Sequence, residues 1–233
     1  MTSVARRPTA LVSLVALALI LAPLAGGAAL VVRAQAASAF AELAVTAYGA
    51  QRFDLATGFT ELPDGGEVVD RGSGVRLEAP WLRYAEGERL EATDAVVYGP
   101  FGEVFAPGLT LDLRQRRLYA DGGVSLSTPS GTVRAATLRF DAEDGWILAW
   151  RDVHSDTPAL EAAGIWYEID GGRLLVLPPY TYVDGPITLR ADADGAPLQL
   201  TPEVADDGTV NGYDATTDLD DDLRSRALAA TEE

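Results

Sequence analysis

The residues of this chain whose types could carry chemistry are few and stand apart from one another. The single histidine, His154, lies between Asp152 and Asp156. An imidazole beside carboxylates can act as a general base or a metal ligand, but one histidine so placed reads as a polar surface residue. Asp192-Ala193-Asp194-Gly195 has the opening of a calcium loop. Its third aspartate is missing and Glu203 stands at the wrong distance for the twelfth position, which leaves a solvated turn. The run Asp218-Leu219-Asp220-Asp221-Asp222 reads as a solvated charge run. Ser125, Ser127 and Ser130 lack a nucleophile-elbow context. The chain has no cysteine, so it has neither a disulfide framework nor a thiolate metal site. These patterns predict no catalytic residue, no metal and no cofactor. The chain reads as non-enzymatic.

What recurs instead is apolar. A pattern Ala-x-x-apolar-x-apolar begins at Ala50, Ala79, Ala106, Ala135 and Ala162, with steps of 29, 27, 29 and 27 residues. A period of this length marks a supersecondary unit stacked on copies of itself. In each unit an apolar residue (Leu77, Val104, Val133, Leu160) precedes the alanine by two. Leu82, Leu109, Leu138 or Ile165 follows it by three, and Tyr84, Leu111, Phe140 or Tyr167 by five. Steps of two keep side chains on one face of a strand. The step of three would flip them unless a bulge or corner absorbs one residue, so a bend is expected at the same place in every unit. Pro80, Pro107 and Gly108 fall near it.

A second strand follows each first one. Leu90, Leu118, Ile147 and Leu175 recur at 28, 29 and 28. Ala92, Ala120, Ala149 and Leu177 stand two further on, and Val96, Val124, Val153 and Thr181 four beyond those. Short polar turns such as Ala85-Glu86-Gly87-Glu88 and Ala142-Glu143-Asp144-Gly145 link the strands as hairpins. Arg76, Glu78, Arg83, Asp112, Arg134 and Arg139 alternate with the apolar set, so one face is wet and the other greasy. After Phe40 no amphipathic helix is evident to cover the greasy face, so the sheet must curl or fold over on itself. The predicted fold is all-β, an elongated jellyroll of repeated antiparallel hairpins. One N-terminal hydrophobic helix precedes it.

The two ends differ from this middle. Arg6 and Arg7 precede an uncharged run from Pro8 to Val32, and Ala34-Gln35-Ala36 follows Arg33. Residues 1–36 are therefore a signal cut near Ala36 or a membrane anchor over residues 10–32, which at about 1.5 Å per residue is long enough to span. Either reading exports residues 40–200, the β domain. Residues 201–233 lose the periodicity and fill with Asp, Gly, Thr and Glu. They read as a mostly disordered acidic tail, with room for a short helix near Asp221–Ala230. The chain holds 18 basic residues, all arginine, against 35 acidic ones, for a net charge of -17. That argues against nucleic acid or an anionic bilayer surface as the main partner.

Three stretches carry a family resemblance. They are Val75-Arg76-Leu77-Glu78-Ala79-Pro80-Trp81-Leu82-Arg83-Tyr84, Leu118-Tyr119-Ala120-Asp121-Gly122-Gly123-Val124-Ser125-Leu126, and Val133-Arg134-Ala135-Ala136-Thr137-Leu138-Arg139-Phe140-Asp141. In series they resemble the periplasmic bridge proteins of lipopolysaccharide transport, the LptA/LptC group with its OstA-like domain, over roughly residues 47–190. A retained N-terminal anchor would be similar to the LptC arrangement. The resemblance implies a β-taco open along one side, sited in the periplasm or cell envelope and tethered to the inner membrane. It implies acyl chains held in the interior and lipid passed between domains joined edge to edge. Lipopolysaccharide or another acylated lipid, and related jellyroll proteins meeting by edge-strand addition, are then the expected partners. The expected groove lining is Leu77, Leu82, Tyr84, Leu90, Val96, Val104, Leu109, Leu111, Leu118, Val124, Val133, Leu138, Phe140, Ile147, Val153, Ile165 and Tyr167. The competing expectation is an envelope scaffold whose same residues form a dry core.

Overall fold

The computed structural model describes residues 40, 43–72, 74–99, 102–128, 131–156, 159–168, 173–204, 210–219 and 221–232. The N-terminal segment 1–36, anchor or signal, lies outside them. Among the described residues eighteen strands form one antiparallel sheet, the all-β architecture that the hairpin repeat predicts. Five strands cross the whole molecule: β7 (Arg89–Gly99), β8 (Gly102–Asp112), β13 (Trp146–Asp156), β14 (Ala159–Glu168) and β15 (Leu174–Asp184). Between them shorter strands run end to end: β5 (Arg76–Ala79) into β6 (Trp81–Ala85), β9 (Arg117–Asp121) into β10 (Val124–Thr128), and β11 (Gly131–Ala135) into β12 (Thr137–Asp141).

Register resolves the sheet into two layers. The first begins with β1 (Leu43–Ala47) and β4 (Gly66–Asp70), and continues through β5, β7, β8, β10, β11, β13, β14 and β15 to β16 (Ile187–Ala191). The second begins with β2 (Arg52–Phe53) and β3 (Thr60–Leu62). It continues through β6, β7, β8, β9, β12, β13, β14 and β15 to β17 (Leu198–Val204) and β18 (Val210–Thr216). The long strands belong to both layers because they bend across the fold. Leu90 and Val97 sit on one strand yet line one cavity of about 20 Å³. A straight strand would hold them about 23 Å apart.

In the first strand of each unit the bend falls where the step of three places it, and the second strands, whose even steps predict no break, crease opposite it. Pro80 separates β5 from β6. Asp94 of β7 is left-handed, with φ 48°, and so are Arg151 and Asp152 of β13, at 64° and 52°. Gly122 and Gly123, with φ 84° and 97°, separate β9 from β10. Register slips between Trp150 and Val153 and between Ala162 and Gly164, the signature of bulges that bend and twist a strand. Backbone pairing continues across the crease, since the Gly123 N–H donates to the Ala136 carbonyl at 3.1 Å and the Ala136 N–H to that of Arg151 at 2.8 Å.

The layers are joined at one end by the turn from β3 to β4, where Gly65 is needed. Its φ is 81°, and a Cβ there would lie 2.4 Å from the Ala79 carbonyl oxygen and 2.9 Å from Pro80 Cα. Both neighbours are backbone, so neither can yield cheaply. Gly65→Ala should therefore lower the unfolding free energy by about 1–3 kcal/mol, read as a lower urea midpoint at unchanged slope.

The C-terminal part differs from the expected solvated tail. Residues beyond Thr201 complete β17, form β18 as the edge of the second layer, and end in a helix, α1 (Asp221–Glu232). Leu219, Leu223, Ala227 and Ala230 are buried against Trp146, Leu148, Trp166, Leu175 and Leu177, with Trp150 packed alongside. Those sheet residues are on the outer face. In β13–β15 both faces are apolar, so the wet-face, greasy-face alternation holds only for the first units. The helix excludes water from that outer face, and its buried residues form a cluster separate from the two interior ones. Asp221 and Asp222 lie in its first turn, where the helix dipole favours carboxylates.

Candidate functional site: the interior between the layers

Buried apolar side chains from both layers meet along the whole fold. One cluster joins Leu77, Val97, Val104, Val124 and Leu126 of the first layer to Leu82, Leu90, Leu109, Leu111 and Leu118 of the second, with Tyr84 and Leu138 packed at its margin. The next joins Val153, Leu160, Tyr180 and Tyr182 to Ile165, Tyr167, Leu174, Val176, Leu198 and Leu200, with Val133 and Ile147 at its margin. Phe140 packs against both clusters, so the interior is continuous. The expected lining residues converge on it, with one exception.

The exception is Val96. In β13 two left-handed residues, Arg151 and Asp152, lie at the crease, and Val153 comes back to the interior four residues after Ala149. In β7 one left-handed residue, Asp94, does this work. Pairing keeps its register from Thr93↔Gly108 to Ala95↔Ala106, while the inward set steps by three, from Ala92 to Ala95. Ala95 and Val97 then face in, and Val96 is turned outward and half-buried. The last unit departs too. Leu174 and Val176 face the interior, whereas Leu175 and Leu177 lie under α1.

Residues missed from the sequence include Phe40, Ala95, Val97, Leu174, Val176, Leu198 and Leu200, all in the two clusters. The run Leu174-Leu175-Val176-Leu177 held the available signal for two of them. An unbroken apolar strand reads as buried on both faces, so the choice of its inner members could not come from alternation.

Among the described residues, polar groups at the interior include Ser155 of β13, which is buried opposite Leu160, and groups at the two ends. Asp70, 1% exposed, accepts from the Phe40 N–H at 2.9 Å and the Gly72 N–H at 3.2 Å. At the other end Tyr182 points its hydroxyl at Asp184 Oδ2, 3.5 Å away. Burial, reinforced by the Asp184 charge and hydrogen bond, pushes the Tyr182 phenol up to about 12. Burial, with Tyr182 adding to it, raises Tyr213 as well. The buried Tyr213 hydroxyl has no hydrogen-bond partner among the described residues. A raised phenol pKa means the folded state keeps its proton where the unfolded state loses it. The contribution of Tyr182 to stability is thus complete below pH about 10 and disappears as pH rises toward about 12. Tyr182→Phe should flatten the fall of the unfolding midpoint between those two values, measured by urea titration at stepped alkaline pH.

The candidate chemical residues are scattered outside this interior. His154 is exposed on β13, its Nδ1 3.8 Å from Glu161 Oε1 across the strand pair. The Asp192 stretch is a turn in which the Gly195 N–H donates to the Asp192 carbonyl at 2.8 Å. Among the described residues no group of three His, Asp or Glu side chains could hold a metal ion. Among them also, no helix is long and apolar enough to cross a membrane.

Fold and site together define a creased, two-layer antiparallel sheet protein with a continuous apolar interior. No known family profile and no curated protein matches this chain. Among solved structures it is similar to the crystal structure of LptH, the LptA homologous periplasmic component of the conserved lipopolysaccharide transport device from Pseudomonas aeruginosa. The identity is 13%, the match covers 66% of this chain and 85% of that one, and the TM-score is 0.25.

Proposed function

We propose that this protein is a non-enzymatic lipid carrier of the cell envelope, holding acyl chains between its two layers and bridging or shuttling an acylated lipid such as lipopolysaccharide. The observation that carries this reading is the convergence of successive hairpins on one interior made continuous by Phe140. Moving a lipid tail into water costs about 0.8 kcal/mol per methylene, or roughly 12 kcal/mol for a chain of about sixteen carbons. A carrier has to offer apolar surface throughout transfer, and residues such as Leu77, Leu109, Leu138 and Ile165 would supply it without polar contacts that trap the cargo. Residues 10–32 would tether the carrier to the inner membrane, unless cleavage near Ala36 releases it. Among the described residues, β16 and β18 are edge strands, whose open side would offer backbone to a related jellyroll partner.

A photo-crosslinking residue at Phe140 or Leu111 should capture acyl lipid in cells. A second reading, a scaffold with a dry core, is favoured by the close packing of the interior, where the cavity beneath Phe40 is about 20 Å³, room for about one water. Protein-only adducts at both positions would select the scaffold.

A further inference from the structure

Phe40 is an apolar side chain between the layers that the repeat does not supply. It lies ahead of β1, is 9% exposed, and belongs to the first interior cluster. Its ring meets Phe140 edge-on, with centroids 5.9 Å apart at 70°. It also closes over the small cavity lined by Leu77, Leu90, Leu111 and Leu118. Its φ of 67° is left-handed, a conformation that bulky residues avoid and that persists where the surroundings over-determine it. The 2.9 Å hydrogen bond from its N–H to buried Asp70 supplies that constraint.

We propose that Phe40 is the built-in occupant of an acyl-chain subsite, and that a lipid tail enters the interior by taking its place. The inference rests on the carrier reading above. Ring and acyl segment are both apolar, so exchanging one for the other keeps the subsite dry. The exchange also leaves Asp70 its Gly72 N–H partner. Because Phe40 abuts Phe140, a tail seated there would touch the residue that joins the two clusters. A subsite occupied by the protein's own side chain weakens apparent affinity by the fraction of time it is filled.

The test uses the full chain in cells whose lipids are labelled with radioactive acetate, with a photo-crosslinking residue at Leu111. Phe40→Ala should raise the labelled adduct about fivefold over the native residue, and Phe40→Trp should hold it at or below the native level. Protease resistance of each variant reports folding. If Phe40→Ala proves unfolded, Phe40→Leu serves instead, with a smaller rise expected. Equal adduct from the native chain and the folded variant overturns the exchange while leaving the carrier reading intact. No labelled adduct from any of them, at Leu111 or at Phe140, overturns both.

Discussion

Replacing Trp166 with alanine should lower the unfolding free energy by about 3–5 kcal/mol, the range for emptying a fully buried large aromatic site. Trp166 is 0% exposed, on the outer face of β14, with Leu148 and Leu175 facing it across the neighbouring strands and Leu219, Leu223 and Ala227 of the C-terminal segment in the same cluster. The Arg226 guanidinium stands 5.5 Å over its ring, so truncation removes a cation–π contact as well. Ala227 and Ala230 of the helix are too small to spread into the void. Trp166→Phe should cost much less. It keeps most of the apolar volume and deletes an indole N–H that has no acceptor among the described residues, a group that costs free energy while buried and unpaired. Urea unfolding of both variants checks the order, which fails if phenylalanine is as damaging as alanine.

Removing the Glu168 carboxylate should detach α1 and cost about 2–4 kcal/mol. Glu168 is 6% exposed. Its Oε2 accepts from Arg173 Nε at 2.8 Å and Nη2 at 2.7 Å, and its Oε1 from Arg226 Nη1 at 2.5 Å. Both Arg173 donors converge on Oε2 while Arg226 takes Oε1, so each carboxylate oxygen has its own guanidinium partner, and charge-assisted bonds of this kind are stronger than neutral ones. Arg226 also donates to the Asp144 carbonyl at 3.3 Å, and Arg139 Nη1 to the Ala230 carbonyl at 3.1 Å. The carboxylate therefore sits at the centre of the polar rim that clamps α1 over its tryptophans. In Glu168→Ala, Arg173 and Arg226 lose their shared anion but keep partial access to water, which holds the cost to the lower part of the range for buried pairs. Hydrogen exchange over 221–232 should accelerate well beyond the change in the central strands, and tryptophan emission should shift to the red as Trp146 and Trp166 hydrate. Uniform acceleration across the sheet would mean instead that Glu168 supports the whole fold and not the helix.

Trp166 and Glu168 lie outside the interior, on the side of the sheet that strand periodicity does not mark. Strand periodicity is local. Steps of two and a shared step of three are enough to place the hairpins, the crease and inward residues such as Leu82, Leu109, Leu138 and Ile165, because side-chain facing follows from the backbone pleat. The absence of a recurring polar constellation is equally local.

The tertiary structure decided the rest. Whether one left-handed residue or two stand at a crease changes the phase by one, and Asp94 alone turns Val96 out where Arg151 and Asp152 together keep Val153 in. No pattern of hydrophobicity encodes that difference. Strands apolar on both faces, as in Trp146–Trp150 and Leu174–Leu177, carry no alternation to read, so the docking of α1 onto them emerges only when the sheet and the C-terminal segment are brought together. The sequence leaves room for the helix but not for its docking, because two of its buried residues, Ala227 and Ala230, carry little hydrophobic signal beside Leu223. The helix is held because the surface beneath it would otherwise expose Trp146, Leu148, Trp166, Leu175 and Leu177 to water, a property of the assembled sheet and of no single segment.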